Sequence, residues 1–277
     1  GGARFGRHGG RTDCGPCEDD LSRRTAAAYH TRSSPTPHVS HNLACTANTF
    51  MSAVLPGGFL FRYQLELARI ARPPGTKDPL PTLDKLSPLP DLQGLSQLET
   101  GVTQPPFASV WLAWHDTGLA VQLVVRDKKR PARCLEASPD TSDGLTVWID
   151  TRNTQTIHRA SRFCHAFTFL PTGGGRGGDE PVSVPRPIAR AREDAPPPPP
   201  DSLRVASQLT DDGYSLRGWI AAPALHGWDT ETIDAIGFSY RVHDNEKGDQ
   251  TLALGEDFPF DRDPSLWSVL SLSGATG

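Results

Sequence analysis

At 277 residues the chain is long enough to bury the core of one large β domain or of two small ones, and its formal charge of −4 supplies no global positive field for a nucleic-acid backbone or an anionic membrane. Neither nucleic acid nor a membrane is therefore expected as a partner. Gly and Pro contribute 26 residues each, which suits many turns between short strands better than a helical bundle, and no apolar run approaches the length of a membrane span.

Residues 1–50 are dominated by Arg, Gly, Ser, Thr and His, contain no lysine and scatter their apolar residues singly. Such a segment cannot bury enough surface to offset its ordering entropy, so it is expected to be disordered. Met51 is the single methionine, and hydrophobic patterning begins directly after it. The expected boundary is therefore a single β-sandwich domain over residues 51–277, preceded by either a natural tail or translated upstream sequence. Residues 1–30 lack the apolar core of a secretory signal, which favours a cytoplasmic location. Five cysteines in no paired spacing argue against a disulfide framework. Cys14 and Cys17 have CxxC spacing, but no strand, helix or second pair accompanies them.

Phe59, Phe61, Tyr63, Leu65 and Leu67 alternate with other residues and predict a first strand over 59–70. From Pro73 to Pro106 prolines interrupt short leucine phrases, as in a wrapping loop or a set of edge pieces. Two alternating runs over 109–126 flank Asp116-Thr117-Gly118 and predict a tight hairpin. Leu145, Val147 and Ile149 alternate with Thr146, Trp148 and Asp150, and His165, Phe167 and Phe169 resume the rhythm after a polar connection. Residues 171–202, with Gly173, Gly175, Gly178 and prolines 196–200, read as a long loop insertion with one short helical turn at 187–194. A second hairpin is expected over 203–220 about Asp211-Asp212-Gly213, then a connection with helical character near Pro223, a strand over 236–242 and a last strand near 267–272. Hairpin-linked strands without crossover helices predict an all-β fold, an antiparallel β-sandwich of jelly-roll or immunoglobulin-like type with long loops.

Trp148 and Trp219 stand opposite the apolar residues of their strands, among Thr146, Asp150, Ser215 and Arg217. Two readings are open: the rings stack on a sugar while Asp150 and Arg217 bind hydroxyls, or they are core covered by the 171–202 loop. Arg152, His158, Arg159, Arg162 and His165 crowd the connection after Asp150. They form either an anion or sugar site or a structural network, and Arg159 and Arg162 are expected to converge with Asp143 or Asp150. Gly173-x-Gly175-x-x-Gly178 matches a dinucleotide fingerprint in letters, but Asp179-Glu180-Pro181 follows where a helix would have to begin. Asp244-Asn245-Glu246 with Asp249 is oxygen-rich yet lacks the EF-hand pattern. No GxSxG elbow, Walker loop or HExxH is present and no cofactor is expected from the residues, while a carboxylate pair for glycoside hydrolysis stays open because its separation is a three-dimensional quantity.

The order of phrases carries a further reading. The tryptophan hairpin Val110–Val125, then Ser142-Asp143-Gly144 into Trp148-Ile149-Asp150, then Asp212-Gly213-Tyr214 before Ala222-Pro223, then Ile236-Gly237-Phe238 and Pro264-Ser265-Leu266-Trp267, resembles the family 9 carbohydrate-binding modules and the wider DOMON-like sandwiches over residues 59–272. Within that group it is similar to uncharacterised bacterial proteins of the planctomycete type. The resemblance implies a non-catalytic β-sandwich with a carbohydrate ligand, and calcium only by that route. A protein partner docked by the Pro/Gly-rich loop is the alternative, and an enzyme associated with glycoside hydrolysis the third reading.

Overall fold

The computed structural model describes residues 63–92, 105–255 and 257–272. The expectations for residues 1–50, the Met51 boundary, Cys14, Cys17 and residues 59–62 lie outside these. Twelve strands are present among the described residues: β1 (Gln64–Glu66), β2 (Ala68–Arg69), β3 (Ala108–His115), β4 (Gly118–Val125), β5 (Gly144–Asp150), β6 (Cys164–Gly174), β7 (Glu180–Arg186), β8 (Leu203–Thr210), β9 (Gly213–Ala221), β10 (Ala235–Asp244), β11 (Gly248–Thr251) and β12 (Ser268–Ser271). They form a sandwich of two sheets. The first has the order β1-β12-β10-β5-β6-β7 with β11 beside β10, and the second β2-β3-β4-β9-β8.

The period-two pattern decides which face of each strand is core. In the first sheet Leu145, Val147 and Ile149 of β5 lie in register with Phe169, Phe167 and His165 of β6 and with Val242, Tyr240 and Phe238 of β10. In the second sheet Val121 and Leu123 of β4 pair with Gly218 and Leu216 of β9. Gly218 is where the sheets approach closely: a Cβ there would sit 2.8 Å from Val121 and 2.9 Å from Phe169. The expected hairpin about Gly118 is present, and its φ of +149° with Ile220 O only 2.2 Å from an added Cβ explains the glycine.

Three sequence expectations change. Pairing is antiparallel except at two edges, where β1 joins β12 and β2 joins β3 in parallel. The predicted first strand therefore crosses between sheets, with Leu67 buried at the crossing and its amide donating to Ser271 O. Residues 171–202 are not one loop: β6 continues to Gly174 and β7 returns beside it, so the glycine motif is a hairpin turn closed by Gly173 N to Gly178 O at 2.9 Å. An edge strand tolerates the missing amides of Pro181 and Pro185. At 187–194 there is no helix, but a turn in which Ala191 N reaches Ile188 O at 3.2 Å and Arg190 takes a φ of +61°.

The proline-rich stretch after β2 is a strap over the outer face of the second sheet. Leu80 and Leu83 bury themselves against Trp111, Ala113, Ala120 and Trp219. The strap is fixed by polar bonds as well: Leu83 N donates to Gln122 Oε1 at 2.7 Å, Trp111 Nε1 to Leu86 O at 2.9 Å, and Arg204 Nη1 to Gly75 O at 2.7 Å. A sheet face so covered is unavailable to a ligand.

Candidate functional site

One end of the sandwich gathers the connection 151–163 after β5, the turn 187–194 after β7, the β9–β10 connection and the segment 258–266 before β12. Arg159 reaches from the first of these to the second, its Nε donating to Arg190 O at 2.9 Å and its Nη2 to Ala191 O at 3.2 Å. Arg192 N returns a bond to Ala160 O at 2.7 Å, and Arg162 Nη1 lies 3.7 Å from Glu193 Oε1. The 258–266 segment joins through His158, whose Nδ1 stands 3.2 Å from Asp263 Oδ2 and 3.0 Å from Ser265 Oγ. Between the three lies an open cleft of about 560 Å³ lined by His158, Arg159, Arg190, Pro259, Arg262 and Asp263.

Beside the cleft, Phe163 is a half-buried ring carrying several partners. Arg152 Cζ lies 4.8 Å and Arg162 Cζ 5.3 Å from its centroid, and the exposed His226 ring stacks on it at 5.0 Å and 20°. Two guanidinium groups are thereby held at the surface through ring quadrupole attraction. Thr151 anchors the start of the connection, its Oγ1 donating to His226 O at 2.7 Å.

The structure distributes the predicted ligand residues over different places. His158 and Arg159 line the cleft, while Arg152 and Arg162 flank it on Phe163. Trp148 is buried in edge-on contact with Phe260, and Trp219 is buried under the strap. Neither ring is free to stack on a sugar, and the cover comes from the 73–90 strap and the 252–260 segment rather than from 171–202. Arg217 faces the strap, 3.4 Å from Leu80 O and 3.3 Å from Thr82 Oγ1, and so belongs to the opposite sheet. Asp150 is buried, accepting from Arg152 N at 3.0 Å and Thr154 N at 2.6 Å. Burial raises its pKa, against the lowering effect of those two amides. It shapes the turn after β5.

The expected convergence of Arg159 and Arg162 on Asp143 or Asp150 is not what forms. Asp143 lies at the other end of the sandwich, where buried Lys128 donates to it at 3.2 Å and to Asp244 at 2.5 Å. Burial draws the Lys128 pKa down, but bonds and charge from the two aspartates outweigh it and the net shift is upward. These bonds also account for the oxygen-rich 244–249 stretch: Asp244 Oδ1 accepts from Glu246 N and Lys247 N, and Asp249 pairs with His243. Its carboxylates are used within the fold.

His165 does not face the cleft. Its ring lies in a separate apolar cavity of about 270 Å³ beneath Ile188 and the prolines 196–198, with Nε2 donating to His226 O at 3.3 Å. Burial lowers its pKa to about 4, the carbonyl bond opposing, so the ring is neutral at pH 7. Cys164 next to it has its thiol pushed up to about 12, burial being the main cause, and is no nucleophile.

Arg190 and Arg262 complete the cleft and were not legible in the sequence. Arg262 sits between Asp261 and Asp263 outside any motif, and nothing marks Arg190 before its left-handed φ brings it to the rim. Ser265, His158 and Asp263 also fall together by residue type as in a hydrolytic triad, but their wiring is different. Ser265 Oγ donates to Asp263 Oδ1 at 2.6 Å, and both groups meet the same ring nitrogen of His158. A triad needs the serine and the carboxylate on opposite nitrogens, so this arrangement is a brace.

No family model and no curated protein matches the chain. Solved structures do. A family 9 carbohydrate-binding module from Caldicellulosiruptor kristjanssonii in complex with cellotriose aligns with a TM-score of 0.50 at 15% identity, covering 77% of this chain and 94% of that one. A family 9 module from the same organism in complex with glucose aligns at 0.51 and 14% identity, covering 76% and 96%. The chain thus has the β-sandwich fold of family 9 carbohydrate-binding modules. Among the described residues no helix is long and apolar enough to cross a membrane.

Proposed function

We propose that residues 51–277 form a non-catalytic carbohydrate-binding module that takes a saccharide in the cleft between Arg159, Arg190 and Arg262. The observation that carries this reading is the cleft itself: a hollow of about 560 Å³ rimmed by side-chain donors and held by bonds between three chain segments. A size in the range of small-molecule sites and convergent donors suit the hydroxyls of a sugar. The shared fold with modules seen with cellotriose and glucose supports the same ligand class. Non-catalytic action is supported by the brace wiring of Ser265 and by the high thiol pKa of Cys164.

The test is a glycan array probed with the full chain, followed by calorimetry on each hit. Saturable binding that Arg262→Ala weakens is expected. Failure to bind any glycan would remove the reading.

A second reading has its own observation: prolines 196, 197, 199 and 200 are exposed on the segment that roofs the apolar cavity. A proline run is partly preordered and docks on a protein at low entropic cost. Deleting residues 196–200 would then abolish recovery of a partner, and unchanged recovery would count against it.

A further inference from the structure

We infer that the saccharide taken by the cleft is an acidic one, carrying carboxylate or sulfate oxygens; this rests on the carbohydrate reading above. The argument is one of charge balance. Of the six residues lining the cleft, three are arginines, and Asp263 is the one carboxylate. Its oxygens are oriented within the fold, Oδ1 by Ser265 N at 3.0 Å and Ser265 Oγ at 2.6 Å and Oδ2 by His158 Nδ1 at 3.2 Å, and its single negative charge is outnumbered by the three arginines. Arg159 uses its donors on two carbonyl oxygens, which are neutral partners and leave its charge uncompensated. Among the described residues the side chains of Arg190 and Arg262 make no hydrogen bond or ion pair, and both residues are exposed.

Three arginines line one hollow, where like charges repel, and the chain as a whole carries a formal charge of −4, so their grouping is not a by-product of a basic surface. The turn adds to this. Arg190 adopts a left-handed φ of +61°, disfavoured for a residue with a Cβ, and Arg159 holds it there by its carbonyl. A neutral sugar would leave these charges unmatched. A uronate or sulfate ester would meet planar forks suited to paired anionic oxygens.

The test uses matched pairs: polygalacturonate against its full methyl ester, and dextran sulfate against dextran, each titrated by calorimetry into the full chain at about 150 mM salt. Binding of an acidic member without its neutral partner is expected, weakened at least about tenfold by Arg262→Ala and unchanged by Arg126→Ala, an exposed arginine just past the other end of β4. Equal loss with both variants would reduce the effect to net charge and overturn the inference. Equal affinity for the neutral partners, or no binding to either acid while the glycan array yields a neutral ligand, would overturn it and leave the carbohydrate reading standing. Inorganic sulfate binding as tightly as the polymers would assign the cleft to a free anion and overturn it as well. An array with no ligand at all removes both readings together.

Discussion

The Arg159 side chain holds the Arg190 carbonyl at 2.9 Å, and through that bond a connection after one strand fixes a turn 31 residues further along the chain. The bond sets where the Arg190 side chain stands. Replacing Arg159 by Ala removes two bonds to carbonyl oxygens, each contributing about 0.5–1.5 kcal/mol, with the lower end expected at this exposed place. Hydrogen exchange should rise at Ala191 and Arg192 with little change in the sheets, and Arg159→Lys should not restore protection because an ammonium lacks the fork. Unchanged exchange in the turn would show that the bond does not hold it.

Trp148→Ala and Trp219→Ala are expected to act on stability. Both rings are buried, and deleting a buried Trp side chain costs about 3–5 kcal/mol. Urea denaturation measures the loss, and Arg262→Ala serves as the comparison with an unchanged midpoint. A tryptophan variant of wild-type stability with lost ligand affinity would contradict the burial.

Lys128 bridges two carboxylates that have no access to solvent. Lys128→Met leaves Asp143 and Asp244 as uncompensated neighbours, with an expected loss of about 3–5 kcal/mol. Adding Asp244→Asn should recover part of it. The Lys128 pKa is raised above its ordinary 10.5, so its contribution is complete below that value and disappears as pH rises through the folded value. Wild-type stability should therefore fall in strong alkali more steeply than that of the Met variant.

His165 and His243 pull the pH profile in opposite directions. The unfolded chain protonates His165 near its ordinary 6.5, the folded chain only near 4. Its contribution is thus complete above about pH 6.5 and is lost as pH falls toward 4, by up to roughly 3 kcal/mol. Asp249 raises the His243 pKa through its hydrogen bond, so that pair stabilises below pH 6.5 and weakens as pH rises through the raised value. In His165→Gln the acid-side loss should flatten, which urea midpoints at about pH 4.5 and 7.5 would measure. An identical slope in the variant would assign the loss to other groups.

The alternation of Leu145, Val147 and Ile149 with Thr146, Trp148 and Asp150 determined strand β5 and its core face, because side chains on a strand project to opposite sides with period two. The same held for β9 and β10, and Asp-Thr-Gly and Asp-Asp-Gly placed both hairpins through local turn geometry. Local rules also located the cluster of arginines after Asp150 and, through hairpin-linked strands without crossover helices, the sandwich, to which the family resemblance pointed as well. They could not decide what covers the outer faces. Trp148 and Trp219 look alike in sequence as large rings among polar neighbours, yet Phe260 lies more than a hundred residues from one and Leu80 more than a hundred from the other. Nor could they pair the charges. Asp143 meets Lys128 and Asn245, Arg159 meets Arg190, and His158 meets Asp263, because stacking two sheets brings one set of connections to one end and the rest to the other. Strand periodicity is a property of neighbours along the chain, whereas burial of a ring and compensation of a charge depend on segments that only the folded sandwich brings together.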